Sequence, residues 1–146
     1  MRVVLKAGLT PIFCIGENYE QREKGETKKV LETQLVSALD GISFPILGED
    51  FVVAYEPVWA ISDGDPYKTK ELPTPEKVAQ INEFIRSVLA KLYSPEFAGN
   101  IRIIYGGSSN AGNAGDYLKN GKVQGFLVGG ASLDAEEFSQ IIKLAS

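Results

Sequence analysis

Phe51-Val52-Val53-Ala54-Tyr55-Glu56-Pro57-Val58-Trp59-Ala60 is the stretch from which the rest of the chain is read. Its apolar start is unbroken and rich in β-branched and aromatic residues, which predicts a strand buried on both faces, as in a parallel sheet. Glu56 then falls at the strand's C-terminal end, where α/β folds place their chemistry. Pro57 fixes its own φ and biases Glu56 toward extended geometry, so the carboxylate leaves the sheet on a stiff stem. Such a stem suits a general base. The same ten residues also fit a loop carboxylate paired with a surface lysine.

Outward from this stretch the chain alternates strands and helices. Arg2 to Ala7 reads as the last turns of a helix stopped by Gly8, and a chain that opens inside a helix predicts structure upstream. Pro11 to Ile15 predicts a short strand ended by Gly16-Glu17. After a polar stretch, Leu31, Leu35, Ala38 and Leu39 share a helical face that Gly41 ends. Ser62 to Pro73 is a long polar connection of the kind that serves as a lid or an insert. Thr74-Pro75-Glu76 opens the clearest helix, with a cap, a proline in the first turn and an acid beside it. Ile101 to Tyr105 and Val123 to Val128 predict the third and fourth strands, each followed by a helix. The order βαβαβαβα implies one domain over 1–146, with parallel strands and right-handed crossovers.

Composition narrows the chemistry. The 146 residues carry a net charge of −4, which argues against nucleic acid or an anionic membrane surface as a partner. No apolar run approaches about 20 residues, so no membrane span is expected. There is no histidine and one cysteine, Cys14, which makes a metal site improbable and excludes an internal disulfide. The expectation is a cytoplasmic, metal-free protein. Cys14, mid-strand between Phe13 and Ile15, reads as a small buried hydrophobe rather than a nucleophile. Glu17 and Arg22 are expected to pair and pin the loop after the first strand. Trp59 fits either a hinge or the core, and Tyr105 fits packing as well as binding.

The third and fourth strands both run into glycine pairs, Gly106-Gly107-Ser108 and Gly129-Gly130-Ala131. Backbone without Cβ approaches a ligand closely, and its amides together with a helix start cradle an anion. One such pair is more simply a tight turn. Two on consecutive strands favour phosphate.

Taken together, Pro11-Ile12-Phe13-Cys14-Ile15-Gly16-Glu17, Ala54-Tyr55-Glu56-Pro57-Val58-Trp59-Ala60-Ile61, Tyr105-Gly106-Gly107-Ser108 and Gly125-Phe126-Leu127-Val128-Gly129-Gly130-Ala131-Ser132-Leu133 closely resemble the triosephosphate isomerase family, in the family's order. The resemblance covers nearly the whole chain. It implies an α/β fold of (β/α)8 TIM-barrel type, of which only four βα units are present: a half-barrel. It also implies an isomerase of glycolysis and gluconeogenesis that needs no cofactor. Glu56 would be the catalytic base, and Pro57, Val58 and Trp59 the hinge of a lid. Ser62, Ser108, Gly129 and Gly130 would lend amides to the substrate's phosphate, with Leu127 packing beneath it. The substrate would be a triose phosphate, dihydroxyacetone phosphate or glyceraldehyde 3-phosphate.

Two departures from the family's pattern qualify this. The lid reads Ile61-Ser62-Asp63-Gly64 where the family has Ile-Gly-Thr-Gly, and it runs on to Leu72, bringing acids toward a phosphate. The family's histidine, lysine and asparagine lie upstream of Met1. A half-barrel leaves two strand edges and its inner face uncovered. Either a missing N-terminal half-barrel or a second copy, in a homo-oligomer, would cover them. The competing readings are a non-catalytic phosphate-binding or self-assembling half-barrel and, more weakly, an open nucleotide-binding sheet; the latter lacks a G-x-G-x-x-G turn.

Overall fold

A computed structural model describes residues 1–48, 50–61 and 71–146. Three short strands form its sheet: β1 (Ile12–Ile15), β2 (Val52–Tyr55) and β3 (Arg102–Tyr105), in that spatial order and all parallel. The register aligns Ile12 with Val52 and Arg102, and Ile15 with Tyr55 and Tyr105. The helices are α1 (Arg2–Lys6), α2 (Tyr19–Glu23), α3 (Thr27–Leu39), α4 (Phe44–Leu47), α5 (Pro75–Leu92), α6 (Pro95–Asn100), α7 (Ala114–Lys119) and α8 (Ala135–Ala145).

The helix starts follow from local chemistry. Thr74 caps α5 by accepting the Lys77 N–H at 3.3 Å, with Pro75 in the first turn. Ser94 does the same for α6 with Phe97, and Asp134 accepts from Glu136 and Glu137 at the head of α8. Leu31, Leu35 and Leu39 recur at helical spacing on α3 and are all buried. With Val78, Ile81, Ile85 and Leu89 of α5 they cover one face of the sheet, where Ile15, Val53, Tyr55, Ile103 and Tyr105 point. That layer is the core.

The opposite face is open toward its edges, with Ala54 of the central strand buried on it. Ile12 is 52% exposed, Cys14 is exposed, and Val52 and Ile104 are half-buried. Alternation along each strand sets the two faces apart, so one residue of register decides burial. The expected burial of Cys14 is therefore corrected: it lies on the uncovered face of an edge strand, while its neighbour Ile15 enters the core.

The fourth strand is also corrected. Val123 to Val128 forms a single bridge, Phe126 to Tyr105, in parallel sense. The Tyr105 N–H donates to Gly125 at 3.1 Å and the Leu127 N–H to Tyr105 at 2.9 Å. Just before it, the Gln124 side chain takes the Ile103 N–H at 2.9 Å in place of a backbone partner. Lys122 adopts a φ of 53° and Gly125 one of 150°, so the approach is too bent for a longer ladder. Arg86 of α5 fixes this corner. It donates to the carbonyls of Ala98, Gly99 and Ile101 and, at 2.7 Å, to Gln124.

Candidate active site

Glu56 emerges where β2 ends, its own N–H donating to Ile15 of β1 at 2.7 Å. Glycine stands beside it on both neighbouring strands. A Cβ on Gly16 would lie 1.7 Å from the Glu56 carbonyl oxygen, and one on Gly106 would lie 2.4 Å from Glu56 Cγ. Any side chain at Gly16 would collide with backbone, and any at Gly106 would push the carboxylate aside. Glu56 is half-buried and extends from the open face that Cys14 and Ala54 share. The Cys14 thiol lies on the same face as this carboxylate, near enough to feel its charge. Partial burial first, and the Glu56 charge second, hold the thiol pKa above its ordinary value.

Directly after Glu56, Pro57 is extended and Val58–Ala60 forms a 3-10 turn. This turn is fastened to the segment after β1. The Val58 N–H donates to the Glu17 carbonyl at 3.0 Å, and the Trp59 indole N–H to the Glu17 carboxylate at 2.8 Å. Glu17 is 1% exposed and also accepts from the Tyr55 hydroxyl at 3.2 Å. Burial, reinforced by the Glu17 charge, pushes the Tyr55 phenol far above its usual range, so it stays a donor.

The expected Glu17–Arg22 pair takes another form. Arg22 lies over the Trp59 ring, 3.9 Å from its centroid, and pairs with Glu71 at 2.9 Å. A planar guanidinium stacks on an indole face, and this arrangement leaves the carboxylate of Glu17 to the two aromatic donors. The sequence placed Glu17 in a pin for the loop after the first strand, but its true partners, Trp59 and Tyr55, were missed. Its only signal was an acid placed directly after the first strand's terminal glycine.

The two glycine loops differ. After β3 the Ser108 N–H donates to the Ala60 carbonyl at 2.9 Å, which ties this loop to the end of the 3-10 turn. Tyr105 is fully buried and stacks on Tyr117 with centroids 4.5 Å apart. After Phe126, Gly129 and Gly130 are exposed with open space where a Cβ would stand, and Gly130–Leu133 forms a second 3-10 turn. Leu127 is half-buried between them and the strand bridge. Ser62, with the expected lid through Lys70, lies outside the described residues. Among the described residues no cluster of three or more His, Cys, Asp or Glu is placed to hold a metal, and no helix is long and apolar enough to cross a membrane.

Comparison with known proteins supplies the context for this geometry. A family model described as triosephosphate isomerase matches residues 1–145. Relatives named triosephosphate isomerase include those of Aquifex aeolicus, 44% identical over 94% of this chain and 52% of that protein, and Thermus thermophilus, 43% identical over 97% and 54%. A third, from Protochlamydia amoebophila, is 40% identical over 97% and 51%. The chain thus spans about half the length of the curated relatives it matches, and its parallel α/β sheet is consistent with half of their barrel. By sequence and by fold, this chain belongs to the triosephosphate isomerase family.

Proposed function

We propose that the chain carries the base-bearing half of a triose-phosphate isomerase active site. The carrying observation is Glu56, held on a backbone-defined stem between two glycines at the C-terminal end of the central strand. In this reading its carboxylate removes a proton from the carbon beside the carbonyl of dihydroxyacetone phosphate. The electron pair moves into an enediolate, and the same carboxylate returns the proton to the neighbouring carbon, giving glyceraldehyde 3-phosphate.

The phosphate would rest on amides of Gly129 and Gly130, whose surroundings are open, and of Ser62 from the lid. Ser108 would join them once its N–H leaves Ala60. That exchange links phosphate capture to the hinge at Pro57, Val58 and Trp59, because Ala60 ends the hinge turn. Holding the lid shut would keep water from the enediolate.

An electrophile must polarise the substrate carbonyl, and the 146 residues contain no histidine to do so. Lacking one donor of this kind costs about 10²–10³-fold in turnover. The chain alone is therefore expected to be nearly inert, and active only beside the remaining machinery of the site. The test is an isomerisation assay of the chain alone and co-refolded with the N-terminal part of a relative. Glu56→Asp, which withdraws the carboxylate by about one bond, is expected to lower the restored activity by about 10²-fold. Restored activity indifferent to Glu56→Asp would overturn the assignment.

A further inference from the structure

The loop after β3 and the loop after the Phe126 segment leave the sheet side by side, since Tyr105 pairs with Phe126 and accepts the Leu127 N–H. The first runs through Gly106, Gly107 and Ser108 to Asn110 and Ala111. The second runs through Gly129 into the 3-10 turn Gly130–Leu133, and Asp134 then caps α8. One side chain reaches from the second to the first. Glu137, half-buried in the first turn of α8, accepts the Ala111 N–H at 2.8 Å.

We propose that Glu137 is a positioning residue: it sets the spacing of the two loops, so that their amides fit a single phosphate. The inference rests on the phosphate reading given above. Both loops belong to this chain, so it holds whether or not the barrel is completed.

Glu137 is fastened at both ends. Its own N–H donates to the Asp134 carboxylate at 2.9 Å, which ties its backbone to the residue that ends the Gly130–Leu133 turn. Its carboxylate holds the other loop, and that loop is braced from Ala111 back to Ser108. The Asn110 N–H donates to the Asn113 side chain at 2.8 Å and the Asn113 N–H to the Asn110 side chain at 3.0 Å. Asn113 Nδ2 in turn donates to the Ser108 carbonyl at 3.2 Å. The Ser108 N–H is engaged with Ala60. When it turns to a phosphate, the anchor at Glu137 keeps the Ser108 peptide within reach of the Gly129 and Gly130 amides.

Charge and positioning predict opposite effects of removing this acid. A carboxylate near an anion repels it, so its loss on electrostatic grounds alone strengthens phosphate binding. Loss of the acceptor frees the loop and weakens it. Glu136, in the same helical turn, is exposed and is not bonded to that loop, so it carries the charge without the bond.

The experiment titrates inorganic phosphate into the full 146-residue chain and its Glu137→Ala, Glu137→Gln and Glu136→Ala variants, with sodium chloride as the ionic-strength control. Amide shifts are read at Ser108, Gly129 and Gly130. Glu137→Ala is expected to weaken phosphate about 3- to 10-fold and to lose the shift at Ser108, while Gly129 and Gly130 still respond. Glu137→Gln keeps an acceptor for Ala111; it and Glu136→Ala are expected to bind at least as tightly as the parent chain. Faster exchange of the Ala111 amide in Glu137→Ala, with unchanged circular dichroism, ties the loss to that bond. Should Glu137→Ala lose its fold, Glu137→Asp, which draws the acceptor back, is read in its place. Phosphate bound as tightly by the Glu137→Ala variant as by the Glu136→Ala variant would overturn the inference and leave the phosphate reading standing. A parent chain in which phosphate moves none of the three amides would overturn both.

Discussion

Removing the Glu17 carboxylate tests the fastening of the 3-10 turn that follows Glu56. Two buried donors converge on it, the Trp59 indole at 2.8 Å and the Tyr55 hydroxyl at 3.2 Å. Glu17→Ala strands both, and each orphaned donor costs about 1–3 kcal/mol. With the small cavity added, the expected loss is about 3–5 kcal/mol, a large part of the roughly 5–15 kcal/mol that a domain has in total. Glu17→Gln keeps one acceptor oxygen for the indole and loses the charge, so about 1–2 kcal/mol is expected. The backbone bond from Val58 to the Glu17 carbonyl survives in both variants, so the difference isolates the side chain. Trp59 is the single tryptophan, and its fluorescence through a urea titration reports the unfolding from the site itself. If the alanine variant were no less stable than the glutamine variant by more than about 0.5 kcal/mol, the carboxylate would not be the fastening and the reasoning would fail.

Other perturbations separate local from global effects. Gly106→Ala meets the Glu56 side chain first and not backbone, so stability should change by less than about 1 kcal/mol while turnover of a completed barrel falls about 10²-fold. Gly16→Ala meets the Glu56 carbonyl, so its thermal melt should reveal a loss of about 3 kcal/mol or more. Gln124→Glu would give Arg86 a charged acceptor at an exposed edge, and denaturant midpoints should show a gain of a few tenths to about 1 kcal/mol. Burial, chiefly, raises the pKa of Tyr55, Tyr105 and Tyr117. Their folded forms resist ionisation that the unfolded chain accepts near pH ~10, so stability is intact below that pH and falls above it, by about 1.4 kcal/mol per pH unit for each tyrosine. Tyrosinate absorbance and far-UV circular dichroism should change together in alkali; ionisation of these three with the helices intact would contradict the packing.

The sequence carried the features that depend on neighbours in the chain. Periodicity located α3 and α5, cap chemistry located the start of α5, and the apolar run before Glu56 located the central strand. Ser94-Pro95-Glu96 repeats the signature of Thr74-Pro75-Glu76, yet α6 went unread, because six residues are too few for an apolar period to show. What depended on distant partners was lost. The Phe126 segment is apolar enough for a strand, but its ladder is cut short by the bent backbone at Lys122 and Gly125 and by the Gln124 side chain that takes the Ile103 N–H. Cys14 was misplaced for a related reason: residue type describes affinity for a core, while burial depends on which face is covered. The engagement of Ser108 with Ala60, and of Glu17 with two aromatic donors, joins residues 38 to 48 positions apart, which no local pattern encodes.

In the proposed reading, the base and its surroundings are divided unequally between this chain and what would complete it. Everything that sets where Glu56 stands is here: the register of β2, the bond to Ile15, the rigid Pro57 and the two flanking glycines. Those constraints are backbone constraints, so they hold as soon as three strands pair. What makes a carboxylate reactive is different in kind. Desolvation and a facing electrophile come from groups that close over the open face, and that face is bare beside Ile12 and Cys14. Position can thus be established before reactivity, and the side chain that would close the inner face meets a base already in place. Restored activity should then follow closure of the barrel in proportion, with no separate slow step in which Glu56 finds its position. Isomerisation that lagged behind slowed amide exchange in β1 during co-refolding would show that the base is positioned by the completed barrel and not by this chain.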